Sequence, residues 1–319
     1  MDMNRLGILA AALAPLVVAL TLPAQALAWS NQGHQITGAI AYDELMRTDP
    51  GVVAKIIAIE KSHPDKARFD KRLGALTGPA RDRMLFQLMA RWPDDIREGP
   101  YDHPNWHYFL SAIADPVHPA KTPTSILAIK SGEAPEAFGV ARATVADAYS
   151  GDPERAIMLC WIFHLTGDIQ QPLHAGHLVS AKFPLSDRGG TIDYVRPSVG
   201  EKPIYMHQYW DDRLGSDADD DANVDRTARY LEARVPRMTL KDLDPSKTDE
   251  AAFRSWARES YALAVKDAYR EGLVSGVPTA ATDAPILPAD YPEKSHAIAE
   301  RRVANGGYRI ADVMRAILK

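Results

Sequence analysis

The amino-acid sequence predicts an all-α protein, a single mostly helical domain with one short hairpin-like excursion. Three observations carry this reading. Five stretches place apolar residues at helical spacing, only Thr191 to Val195 reads as a short strand, and no internal repeat divides the chain. The composition agrees: 319 residues, 46% hydrophobic, 25% charged, with a formal net charge of -5. Those values exclude disorder, collagen-like repeats and a polytopic membrane protein. A chain of this length buries a sizeable core.

In chain order, residues 1 to 28 read as a separate object. Arg5 precedes an apolar run from Leu6 to Leu22, and Ala26-Leu27-Ala28 supplies a small-x-small cleavage site. This is the layout of a secretory signal peptide. An uncleaved anchor is the competing reading, but Pro15 interrupts the run and Gln25 follows it. Cleavage at Ala28/Trp29 leaves 291 residues and an exported chain, periplasmic or secreted, with no membrane anchor. Asp2 and Arg5 cancel, so the charge stays at -5. With Cys160 as the sole cysteine, no intrachain disulfide and no redox Cys-x-x-Cys pair can form.

The mature chain, 29 to 319, opens with a helix over Gly33 to Leu45, which Ser30 or Asn31 could cap. Arg81 to Ala90 carries Met84, Leu85, Leu88 and Met89 at helical spacing. Asp152 to Ile169 begins Asp-Pro-Glu, with proline in the first turn. After Gly189-Gly190 comes the short strand. The run Asp217, Asp219, Asp220, Asp221 lacks the glycine and distal glutamate of a calcium loop. It reads as a solvated loop before a helix over Val224 to Ala233. Ala251 to Gly272 is amphipathic, Thr279 to Pro292 is a proline-rich surface connection, and Ala297 to Leu318 closes the chain as a helix.

Histidines and aspartates supply the chemistry. In WIFHLTGDIQQPLHAGH, His164 and Asp168 are four apart on a helix, so both point to one face with Cβ atoms about 5–6 Å apart. An imidazole and a carboxylate so placed reach one metal ion at about 2 Å. His174 follows just past Pro172, and His207 and Asp211 repeat the four-residue spacing in MHQYWDD. Either pair alone could be a surface salt bridge or a satisfied core histidine. The first, however, lies among Leu159, Trp161, Ile162, Phe163 and Leu165, and an ionised Asp168 buried there needs a cation. Further ligand types sit in RWPDDIREG (Asp94, Asp95), in HPNWHYF (His103, His107) and at His34. Taken alone, WPDD reads as a turn and His103 as a loop histidine.

The order Trp29-x-x-x-x-His34, WPDDIR, WHYF, HLTGDIQQPLH and HQYWD resembles the zinc-dependent single-strand nucleases of the nuclease S-one / nuclease P-one family. SWARESYALAVKDAY and ERRVANGGYRIADVMRAIL resemble its last two long helices, so the likeness spans Trp29 to Lys319. It implies the helical fold shared with zinc phospholipase C, and three zinc ions per chain. One ion would take Asp94, His107, His164 and Asp168. A second would share Asp168 and add His34 with the α-amine and carbonyl oxygen of Trp29. The third would take His174, His207 and Asp211. Asp95, His103 and His177 would stay outside.

The resemblance further implies an endonuclease that cuts single-stranded DNA and RNA to 5′-phosphate products, with 3′-nucleotidase activity, working as a monomer. Water activated between the paired ions would attack phosphorus in line, and the third ion would favour departure of the 3′-oxygen. Asp94 could orient that water, and Arg97 could bind phosphate oxygens by two hydrogen bonds. The bland alternative for Arg97 is a salt bridge with Asp95 or Glu98. Tyr108 would stack a base. Net acidity argues against a nucleic-acid partner, but three Zn²⁺ ions would take the chain from -5 to +1 and concentrate positive charge in the cleft.

Departures from the family pattern are local. Leu110 stands where fungal members have an aspartate for the nucleobase, and Thr191 replaces an asparagine after Gly189-Gly190. The missing disulfide cysteines give the chain the look of a bacterial member. A zinc phospholipase C is the nearest rival, although its last carboxylate is more usually glutamate. A non-catalytic zinc-binding protein is the rival from another class.

Overall fold

A computed structural model describes residues 29–121, 130–281 and 283–319. The signal-peptide reading of residues 1 to 28 lies outside them. The described chain is predominantly helical, with two small β-pairs.

Helix α1 (Asn31–Thr48) is capped by Ser30, whose side chain accepts from the Gly33 amide. It is buried along most of its length and packs on α4 (Gly78–Asp95), α8 (Asp221–Arg234) and α10 (Tyr291–Leu318). Gly38 makes the α1–α4 crossing possible, because a Cβ there would lie 2.3 Å from the Phe86 carbonyl oxygen. Between them come α2 (Pro50–Glu60) and α3 (Lys66–Leu73). Helix α6 (Asp152–Asp168) has Pro153 and two acidic residues in its first turn, the end where the helix dipole favours negative charge. Its C-terminal half is buried on every side, as its continuous apolar run requires. It packs against α4 and α5 (Ala134–Ala146), while α9 (Glu250–Leu263) covers α5. Phe86 and Phe163, in edge-to-face contact at 5.4 Å and fully buried, belong to the largest apolar cluster. Burial of each stabilises by about 2–3 kcal/mol.

The predicted helices all form, with different ends. Helix α4 runs through WPDD, which is therefore not a turn. Leu85, Leu88, Met89 and Trp92 continue one buried stripe past Ala90, and Pro93 sits so near the end that little of the ladder is lost. The helix predicted over Ala251 to Gly272 stops at Leu263 and gives way to a π-turn, Ala264–Ala268. Arg270 and Glu271 then take left-handed backbone angles. Helix α10 starts at Tyr291, six residues before the predicted Ala297, because Pro292 serves its first turn.

The predicted strand shortens to β3 (Tyr194–Val195), antiparallel to β4 (Ile204–Tyr205). A second pair was not predicted: β1 (Ser111–Ala114) runs parallel to β2 (Gly176–Val179), with Ser111 opposite Gly176. Helix α7 (Met206–Asp211) follows β4 directly. The acidic run is more than a solvated loop. Asp219 pairs with Arg72 at 2.6 Å and Arg91 at 2.8 Å, and Asp220 caps α8. No described helix is long and apolar enough to cross a membrane.

Candidate metal centre

Four elements bring the first cluster together. His34 comes from the first turn of α1, Asp94 from the last turn of α4, and His164 and Asp168 from the end of α6. His107 comes from the loop before β1. His34 Nε2 lies 3.2 Å from Asp168 Oδ1 and 3.6 Å from Asp94 Oδ2. His164 Nε2 is 3.1 Å from Asp168 Oδ2, and His107 Nδ1 is 3.2 Å from the same oxygen. All three rings and Asp168 are buried.

His164 Nδ1 donates to the Ala90 carbonyl at 2.8 Å, which turns its Nε2 into the cluster, and there Asp168 and Asp94 outweigh burial and raise its pKa. That nitrogen faces His107 Nδ1 at 2.8 Å, with Asp168 Oδ2 at 3.1 Å and Asp94 Oδ1 at 3.7 Å. Neither ring nitrogen of His34 has a hydrogen-bond partner, and neither does Asp168 Oδ1. Buried polar atoms left unpartnered beside two carboxylates are costly unless a cation sits among them. Burial pushes the Asp94 carboxyl up, but His164, Arg97, His107 and His34 outweigh it and hold it at about 2. The same contest leaves Asp168 well below the usual carboxylate range, with His164 the strongest opponent of burial. Burial lowers His34, and lowers His107 to about 4, which keeps both rings neutral as metal ligands must be.

The second cluster is built on turns. His174 ends a 3-10 turn (Pro172–His174), and His207 and Asp211 lie four apart on α7. His174 Nδ1 donates to the His107 carbonyl at 2.6 Å, and His207 Nδ1 donates to the Gly189 carbonyl at 2.6 Å. Both Nε2 atoms are therefore turned into the cluster and lie 3.1 Å apart, with Asp211 Oδ2 3.5 Å from His207 Nε2. Burial drives the Asp211 carboxyl well above its ordinary value against the single bond from Gln171. These nitrogen and oxygen sets suit zinc.

Among the described residues, Glu60, His63 and Cys160 form a further buried group of ligand types. It differs chemically. His63 Nδ1 accepts the Asp65 amide at 3.0 Å, so the neutral ring carries its proton on Nε2, the atom that would have to bind a metal.

Of the residues expected at the metals, His34, Asp94, His107, His164, Asp168, His174, His207 and Asp211 come together in these groups. Trp29 is fully buried, its indole N–H donates to the Gly167 carbonyl at 3.0 Å, and the Ser30 amide donates to the Asp211 carbonyl at 3.2 Å. The start of the described chain thus lies against both clusters. Asp94 and Asp95 separate cleanly: Asp95 turns to Arg91 at 2.6 Å. Arg97 donates to Asp94 Oδ1 at 2.6 Å. Tyr108 is half-buried with its hydroxyl on Asn105. Leu110 and Thr191 are buried. His177 lies on β2, and His103 stacks on Trp106 and touches Trp161, which in turn contacts His107 and His164; neither histidine is in a metal group among the described residues.

Gln171 was missed by sequence reasoning. Its Nε2 donates to Asp211 Oδ1 at 2.8 Å, while its Oε1 accepts the Leu173 amide and caps the turn that carries His174. The only signal was its place between Asp168 and His174. Gln170 holds the other side of this corner, accepting Arg309 at 2.8 Å through its side chain and Arg302 at 3.1 Å through its carbonyl.

The family profile described as S1/P1 Nuclease matches residues 29–319. Endonuclease 3 of Arabidopsis thaliana is 24% identical over 311 residues, covering 92% of this chain and 90% of its own. Endonuclease 1 of the same plant is 25% identical over 316 residues, covering 91% and 87%. Endonuclease 4 is 28% identical over 175 residues, half of each chain.

Proposed function

The chain belongs to the S1/P1 nuclease family and is a zinc-dependent nuclease acting on single-stranded nucleic acids, and from that premise we propose a three-zinc endonuclease of bacterial type. It hydrolyses single-stranded DNA and RNA to 5′-phosphate products and also removes phosphate from 3′-nucleotides. One observation carries this reading: imidazoles and carboxylates converge in two buried places, His34, His107 and His164 with Asp94 and Asp168, and His174 and His207 with Asp211.

Asp94, His107, His164 and Asp168 would hold one ion. Asp168, His34 and the amine and carbonyl of Trp29 would hold the second, and His174, His207 and Asp211 the third. Bound there, zinc supplies Lewis acidity toward phosphate oxygens and makes water a competent nucleophile near neutral pH. Asp94 stays ionised and orients the attacking water through a carboxylate oxygen. Arg97, now resting on Asp94 Oδ1, offers its guanidinium to the non-bridging phosphate oxygens as charge builds on them. Tyr108 stacks a base of any identity, which suits a strand free to bend a phosphate into the cleft. Leu110 offers that base no hydrogen bond through its side chain, so sequence preference is weak.

Removal of residues 1 to 28 frees the Trp29 amine, so export and assembly of the site are one process. Residues 29 to 319 then work as one domain and one monomer. The test is end-group analysis on single-stranded DNA, RNA and duplex DNA, with phosphatidylcholine as a parallel substrate. Faster cutting of single strands to 5′-phosphate ends is expected. Equal rates on duplex DNA, or hydrolysis of the lipid alone, would overturn the reading.

A further inference from the structure

We infer that Asp187, together with Tyr269, is a positioning residue for the ion at His174, His207 and Asp211, acting through the turn that aims His207. This rests on the three-ion reading. Arg188, Gly189 and Gly190 form that turn, and all three have left-handed backbone angles, with φ of 57°, 63° and 82°. A non-glycine residue in this region is strained and needs its surroundings to hold it there. The turn is packed tightly, since a Cβ on Gly189 would lie 2.5 Å from the Leu173 carbonyl oxygen, next to His174.

Two carbonyls of the turn hold His207. The Gly189 carbonyl accepts from the ring Nδ1, and the Gly190 carbonyl accepts from the backbone amide at 3.2 Å. The first of these decides which ring nitrogen faces His174 and Asp211. If the turn relaxes, the tautomer and aim of His207 relax with it.

Asp187 is what holds the turn. Its side chain is fully buried. Oδ1 accepts the Leu178 amide at 2.8 Å and Oδ2 accepts the Tyr269 hydroxyl at 2.6 Å, while the amides of Gly189 and Gly190 face the same carboxyl. Its own carbonyl accepts the Gly190 amide at 3.1 Å. With its acceptors filled, this carboxyl is not a ligand itself. Its effect on the metal is through the shape of the Arg188–Gly190 turn. Tyr269 is buried in the second apolar cluster, so the hydroxyl that anchors Asp187 is fixed by packing.

The experiment is chelator competition on the processed zinc-loaded protein and on Asp187→Ala, Asp187→Asn and Tyr269→Phe, with His207→Ala to identify the ion in question. Tyr269→Phe keeps the buried ring and folds even if Asp187→Ala does not. Asp187→Ala or Tyr269→Phe should weaken the ion removed by His207→Ala by about 10–100-fold and leave the other two unchanged. Asp187→Asn, which keeps an acceptor for Leu178, should retain most of that affinity. Folded Tyr269→Phe releasing all three ions as the unaltered protein does would overturn the inference alone. If His207→Ala changes no zinc affinity, there is no ion at that cluster, and both the inference and the three-ion reading fall.

Discussion

The two metal clusters are built in opposite ways. The first draws four of its five side chains from the ends of long helices, α1, α4 and α6, that cross in the main core. The second stands on a three-residue turn and a six-residue helix, and backbone carbonyls of His107 and Gly189 aim its imidazoles. Charge is handled differently too. Asp94 and Asp168 have three imidazoles and Arg97 around them, whereas Asp211 has Gln171, the His207 ring at 3.5 Å and, as charged neighbours, the carboxylates of Asp212, Asp94 and Asp168. Helix packing makes a rigid site with two carboxylates, while a site built on turns depends on each local hydrogen bond. The first should keep its ions longest, and the second should be the easier to empty.

The largest effect should come from Asp168→Ala, because its two oxygens reach His34 on one side and His107 with His164 on the other. Activity should fall by well over the ~100-fold typical of losing a supporting partner, with two ions lost. Greater loss of zinc and activity from His207→Ala or Asp211→Ala would reverse the ranking of the clusters. Arg97→Ala should come next, lowering kcat about 10²–10³-fold with zinc retained. Retained activity would reduce Arg97 to a salt bridge with Asp94.

A third way to break the comparison is at the chain start, which touches both regions. A protein beginning Gly-Ser-Trp29 replaces the amine by an amide and crowds the buried Trp29. It should lose one zinc and nearly all activity relative to a protein beginning at Trp29. Full occupancy and activity in the extended form would remove Trp29 from the ligands.

The smallest effect concerns His177, on β2 opposite Ala112. Burial lowers its pKa to about 4, below the ~6.5 of an unfolded chain. Between these values the unfolded state binds more protons, so stability contributed by the neutral ring is present above pH 6.5 and is lost as pH falls toward 4. His177→Gln should shrink the drop in Tm between pH 7 and pH 4.5 by about 2–5 °C. An unchanged drop would mean that burial of this ring is not felt.

What could be read in advance divides along the same line. His164 and Asp168 were legible because helical spacing puts both on one face, and the apolar run around them announces burial. The full ligand set of the second cluster was not legible from spacing, since the contacts that aim it come from Gly189 and His107, far away in sequence. Four-residue strands such as β1 and β2 carry too few alternations to be seen, and their pairing joins residues 65 apart, Ser111 and Gly176. WPDD misled for a physical reason: proline signals a turn, but near a helix end it costs little, and the buried stripe through Trp92 decides. Gln171 and Asp187 were hidden because a polar residue in a turn looks alike whether it faces water or anchors a histidine.

The number of zinc ions that activity requires tests the three-ion centre most directly. The processed protein, stripped of metal, can be titrated with zinc while cleavage of single-stranded DNA and bound zinc are followed together. Activity should stay low through the first two equivalents, which fill the helix-built cluster, and rise to its limit as the third binds on His174, His207 and Asp211. Full activity at one equivalent, or activity without zinc, would contradict the three-ion centre.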